Sequence, residues 1–116
     1  MTDPTCIFCR IAAGEIEADV VHSDDAVVAF RDLNPQAPTH VLVIPRKHVP
    51  TINDLEHADA DVMGRLFLAA KEIARAEGVD QSGYRVAMNC MEGAGQSVFH
   101  VHLHLLGGRS FRWPPG

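Results

Sequence analysis

Apolar residues recur along this chain with two periods, and the change from one to the other marks out its elements. From Asp59 to Glu77 the apolar positions Val62, Met63, Leu66, Phe67, Ala70, Ile73 and Ala74 return every three or four residues, which predicts an amphipathic helix. Asp59 and Asp61 suit its positive N-terminal end, Lys71 and Arg75 suit its last turns, and Gly78 suits the residue just past it. A shorter helical piece is expected from Cys6 to Gly14, with Ile7, Ile11 and Phe8 on its apolar side. Elsewhere the pattern is that of strands. Val20 to Ser23 and Ala26 to Arg31 flank Asp24-Asp25, a natural hairpin turn, and His40 to Pro45 reads as a mostly buried strand. Tyr84 to Cys90 and Ser97 to Leu106 complete the set, while Asn34 to Thr39 is too proline-rich to be regular. Five strands joined mostly as hairpins, with one long and one short helix, predict an α+β domain with a mostly antiparallel sheet. A helix on one sheet face leaves the other for water, a ligand or a second subunit.

Length narrows this picture. At 116 residues the chain is expected to form a single domain over 1–116, with a loose start at 1–5 and a tail at 107–116. Ten Lys and Arg against 15 Asp and Glu give a formal charge of −5. Nucleic-acid backbones are bound by clustered cations, so no nucleic-acid partner is expected; a single nucleotide needs only local donors. No apolar run is long enough to span a membrane and no basic, apolar leader opens the chain, so a cytoplasmic location without membrane contact is expected. Structural disulfides are disfavoured in that compartment, which leaves Cys6 and Cys9 for metal or redox chemistry.

The chemistry concentrates in Phe99-His100-Val101-His102-Leu103-His104-Leu105-Leu106. Strand alternation would send His100, His102 and His104 to one side and Val101, Leu103 and Leu105 to the other. Solvated strand faces mix Thr, Ser, Lys and Glu; this one places three of the chain's 7 histidines within five residues. Two readings give the stretch a purpose. In one, neighbouring histidines hold a catalytic zinc, with Glu92 as the general base. In the other, an imidazole attacks phosphorus, which requires one bare ring nitrogen and an acceptor for the proton on the other. The preceding Gly93-Ala94-Gly95 can bring backbone N–H groups against a phosphate, and Gln96 and Ser97 add side-chain donors.

His100-Val-His-Leu-His-Leu-Leu106 resembles the signature of the histidine-triad (HIT) family. The resemblance runs over nearly the whole chain, through Asp32 to His40, Val43 to Pro45, Gly95 to Val98 and the ending Trp113-Pro-Pro-Gly116, and is greatest to the Hint-like, purine nucleoside phosphoramidase-like branch. It implies a nucleotide hydrolase or transferase acting through a covalent nucleotidyl-histidine, with dinucleoside polyphosphate hydrolysis or a scaffold role as alternatives. It also implies a HIT-like fold whose sheet continues across a homodimer, and a purine nucleotide substrate. By that match His102 is the nucleophile, oriented by the carbonyl of His100, with His104, His40 and Ser97 completing the catalytic set. Asp32 binds the ribose; Asn89, Gly95, Gln96 and Ser97 surround the phosphate and leaving group; Phe8, Ile11, Phe30 and Leu33 form the base pocket; Trp113 reaches toward the partner's site. Asp32 could equally cap a turn, and Asn89 could bond locally. Cys90 stands where many Hint-like proteins carry an acidic residue. Cys6-Ile-Phe-Cys9 has metal-ligand spacing and lacks the strand context of a redox pair. With His48 and His100 it is expected to hold a structural zinc, as in many bacterial relatives, and no organic cofactor is expected.

Overall fold

Alternation along the strands sends their side chains into two different layers, and one of those layers becomes the site. The computed structural model describes residues 2–116. In chain order the elements are α1 (Ile7–Ala12), β1 (Val20–Ser23), β2 (Val27–Arg31), β3 (Thr39–Pro45), α2 (Ala60–Ala76), β4 (Tyr84–Ala87) and β5 (Leu103–Gly107), with short 3-10 turns at Ile52–Asp54, His57–Asp59 and Glu92–Ala94. The strands form one sheet in the order β1-β2-β3-β5-β4, antiparallel at every pairing. This is the α+β arrangement expected from the sequence. Asp24 makes the predicted turn, its Oδ1 accepting from the N–H groups of Ala26 and Val27, both at 2.8 Å.

On one face Val27, Ala29, Val41, Val43, Leu103 and Leu105 pack against Leu66, Ala69, Ala70, Ile73 and Ala74 of α2. On the other, Val28, Phe30, Leu42 and Ile44 pack against Phe8 of α1. His104 is paired with Leu42 and therefore belongs to this second face.

Four expectations need correction. Phe67 is 56% exposed and Ala69 is buried, so the inward stripe of α2 is rotated from the predicted one; small alanines let the helix lie close to the sheet. In α1 it is Phe8 and Cys9 that are buried, whereas Ile7 stays 49% exposed. β4 ends at Ala87 rather than Cys90. The last strand begins at Leu103, not Ser97, and the register explains why. Continued outward, the β3–β5 pairing would set Val101 against Pro45, which has no N–H to donate. Val101 instead donates its N–H to Val49 O at 2.8 Å. His100 and His102 thus lie on a segment outside the ladder, held by their own side chains. The expected loose start at 1–5 falls partly outside the described residues, at Met1; Thr5 is tied to the Asp3 carboxylate by its N–H (2.8 Å) and its hydroxyl (2.6 Å).

Candidate active site and a sulfur–imidazole cluster

A cavity of about 290 Å³ opens on the α1 face of the sheet. The predicted residues Phe8, Ile11, Phe30, Asp32, Leu33, Ser97, His102 and His104 line it. Leu42, Val98, Ile16 and Ala18 line it as well, and sequence reasoning missed them. Leu42 was findable, because it alternates with His40 on the same strand face. A wider depression of about 580 Å³ lies along β4 and the tail, with no histidine in its lining.

The backbone decides which nitrogen of each imidazole carries a proton. A carbonyl can only accept, so His102 donates Nδ1–H to His100 O at 2.8 Å, and its Nε2 is bare. An amide N–H can only donate, so Gln36 N–H binds His40 Nδ1 at 3.0 Å, and the proton of neutral His40 sits on Nε2. That Nε2–H donates to His104 Nδ1 at 2.9 Å, which places the His104 proton on its own Nε2. One acceptor nitrogen and one donor nitrogen therefore belong to adjacent rings, His102 and His104, with centroids 4.9 Å apart. Burial keeps both rings neutral. It lowers His102 despite the favourable His100 carbonyl, and it pushes His104 down to about 4, helped by the neighbouring His102 and His40. Burial lowers His40 too, against the pull of the Asp32 carboxylate 3.5 Å away. Phe8 meets the His102 ring edge-on, with centroids 5.1 Å apart.

Asp32 serves the turn and the cavity at once. Its Oδ1 accepts from Asn34 N–H at 2.8 Å, while the residue also lines the cavity. Gln96 departs from its expected role as a phosphate donor. Its Oε1 accepts from Met91 N–H at 2.8 Å, and its Nε2 donates to Pro50 O at 2.8 Å and Val98 O at 3.1 Å. The buried amide braces the loop from inside. Met91 has φ 71°, a left-handed conformation that favours glycine, and the Gln96 side chain is what grips it. Gly95, at φ 86°, makes the turn that releases Ser97 to the cavity. Asn89, Gly95, Gln96 and Trp113 are not part of the cavity wall; Trp113 is 84% exposed on the tail.

Behind the cavity, Cys6, Cys9, His48 and His100 converge. His100 donates Nε2–H to Pro45 O at 2.7 Å, which leaves its Nδ1 bare and facing the sulfurs. That nitrogen lies 3.4 Å from Cys6 Sγ, 3.5 Å from Cys9 Sγ and 3.3 Å from His48 Nδ1. A tetrahedron built on ordinary zinc–sulfur and zinc–nitrogen bonds has edges of about 3.3 Å between nitrogens and about 3.6 Å between nitrogen and sulfur. The donor set fits a four-coordinate metal in both chemistry and spacing. Backbone N–H groups of Cys9 and Asp3 donate to Cys6 Sγ and Cys9 Sγ, respectively, both at 3.4 Å, and such donors would stabilise the sulfurs as thiolates and fix their direction. Asp32, His40 and His104 also cluster. There, however, His40 Nε2 already holds a proton directed at His104, so those rings form a donor–acceptor chain rather than a metal cradle.

Comparison with known proteins follows the same outline. The HIT domain family model matches residues 13–111, a span that includes every histidine of both clusters but begins after Cys6 and Cys9. The chain is 48% identical over 103 residues to the purine nucleoside phosphoramidase of Escherichia coli (strain K12), covering 89% of this chain and 87% of that protein. Among solved structures, a HIT family hydrolase from Legionella pneumophila Philadelphia 1 matches with TM-score 0.95 at 53% identity, covering 97% of this chain and 100% of that one. A histidine triad protein from Clostridium difficile matches with TM-score 0.94 at 43% identity, covering 97% of each chain.

Proposed function

We propose that this chain, which belongs to the HIT domain family, hydrolyses purine nucleoside 5′-phosphoramidates and related esters through a covalent intermediate on His102. One observation carries the mechanism: the His100 carbonyl fixes the proton of His102 on Nδ1 and leaves Nε2 free to attack. The relationship to a purine nucleoside phosphoramidase supports the substrate class. The apolar wall of Phe8, Ile11, Phe30 and Leu33 suits a base, and the Asp32 carboxylate suits ribose hydroxyls.

In the first step the Nε2 lone pair of His102 forms a bond to phosphorus as the bond to the leaving nitrogen breaks. The departing amine takes a proton supplied through Ser97 and His104. In the second step water displaces the imidazole, the mononucleotide leaves, and the proton from that water restores the donor. Placement of the phosphoryl group and stabilisation of its oxygens supply most of the rate.

Cys6, Cys9, His48 and His100 hold a structural zinc in this reading, with every coordination position taken by protein. The metal ties α1 to the segment carrying His102 and takes no part in the steps above. A homodimer fits the free edge of β4, the exposed Phe67 and the exposed Trp113 on the tail. A cytoplasmic location fits three cysteines none of which is joined in a disulfide, and no helix among the described residues is long and apolar enough to cross a membrane.

Rapid quenching during turnover of adenosine 5′-phosphoramidate, followed by intact mass, tests the mechanism. One adenylyl group on wild-type protein and none on His102→Ala is expected. Equal labelling of both proteins would overturn it.

A further inference from the structure

α1 has six residues, too few to keep a helical shape unaided, yet Ile7, Phe8 and Ile11 from it line the cavity. What grips its ends therefore sets the shape of that wall. At the N-terminal end Cys6 and Cys9 enter the sulfur–imidazole cluster. At the C-terminal end a helix leaves its last carbonyls without intrahelical partners. Backbone turns satisfy three of them here: Ala13 N–H donates to Cys9 O at 3.0 Å, Gly14 N–H to Ile11 O at 3.0 Å and Glu15 N–H to Arg10 O at 2.9 Å. The carbonyl of Ala12 is taken by Arg46, whose Nη1 donates to it at 2.7 Å.

The same guanidinium holds two further acceptors. Its Nε donates to Asp24 O at 2.8 Å and its Nη2 to Ser23 Oγ at 2.9 Å, both on the β1–β2 hairpin. Its backbone is fixed in turn, with Arg46 N–H donating to Ala26 O at 2.8 Å. A planar, rigid fork thus joins the end of α1 to the sheet. Arg46 is not part of the cavity lining, and its hydrogen bond to α1 is made at the helix's outer end.

We propose that Arg46 is a positioning residue for the nucleoside: by fixing the end of α1 it sets how closely the Phe8–Ile11 wall closes on the base, without touching base, ribose or phosphate. The role rests on reading the cavity as a nucleotide site. It implies a weakening confined to the base. Arg46→Ala should raise KM for adenosine 5′-phosphoramidate and Kd for AMP by about tenfold, the scale of one charge-assisted hydrogen bond, with kcat unchanged. Ribose 5-phosphoramidate, which has no base, should show the same kcat/KM in both proteins. A lysine supplies one ammonium in place of the fork, so Arg46→Lys should fall between the two and serves if the alanine variant folds poorly. Amide exchange should accelerate over residues 7–14 and stay unchanged in α2.

The outcomes separate cleanly. An unchanged Kd for AMP, an equal loss on the baseless substrate, or faster exchange throughout the protein would overturn the role of Arg46. Wild-type protein that neither binds AMP nor hydrolyses the phosphoramidate would instead overturn the nucleotide-site reading on which the role depends.

Discussion

Two histidine clusters share one face of the sheet and are wired in opposite senses. In the Cys6–Cys9–His48–His100 cluster the backbone takes the His100 proton away, through Pro45 O, so that a bare nitrogen meets two sulfurs and another imidazole. In the Asp32–His40–His104 cluster the backbone supplies a donor, through Gln36 N–H, so that each ring hands a proton toward the next. Residue type alone does not separate a metal cradle from a hydrogen-bonded chain. The partner of the far ring nitrogen does. His102 lies between the two, and its own far nitrogen is held by the carbonyl of a residue in the first cluster.

Breaking the first cluster should have the largest effect, and on stability. Cys6→Ser with Cys9→Ser should abolish zinc in elemental analysis. It should also cost more than about 4 kcal/mol, lowering Tm by on the order of 10 °C or more. Retention of zinc and of Tm would erase the difference between the clusters. Breaking the second should act on turnover instead. His104→Ala removes a cavity donor and should lower kcat by roughly 100-fold with zinc content unchanged. His40→Leu removes the group that orients His104, together with the acceptor of Gln36 N–H, and should cost about tenfold in kcat; His40→Gln, which can still donate to His104 Nδ1, should recover part of it.

The smallest effect is in the pH profile. Burial holds His104 at about 4 against an ordinary value of 6.5, and His102 is lowered in the same direction. Between those limits the unfolded chain binds more protons than the folded one. The contribution of His104 to stability is therefore complete above pH 6.5 and is lost as the pH falls toward 4. The acid limb of kcat/KM should lie below 6.5. A limb at 7 or higher would mean that these rings are charged near neutrality.

Much of this was legible in the chain. Alternation in β3 and around His104 identified the sheet face that carries the site, because period two fixes direction wherever a strand is paired. It could not foresee that pairing stops at Leu103, since that depends on Pro45 arriving opposite Val101 from a distant strand. That Cys6, Cys9, His48 and His100 would come together could be named from spacing and family likeness; the direction of the His100 ring could not, because it is set by Pro45 O. Gln96 looked like a phosphate donor for lack of any sign that Met91, Pro50 and Val98 would enclose its amide. Arg46 gave no signal at all. Its partners Ala12, Ser23 and Asp24 meet only once α1 has folded back over the hairpin.

Long-range nitrogen–proton NMR of the imidazoles reads the wiring in one spectrum of wild-type protein near pH 7. Expected are a protonated Nδ1 and bare Nε2 for His102, and protonated Nε2 with bare Nδ1 for His40 and His104. A His102 ring protonated on Nε2 would leave the attacking nitrogen blocked and contradict the mechanism at its root.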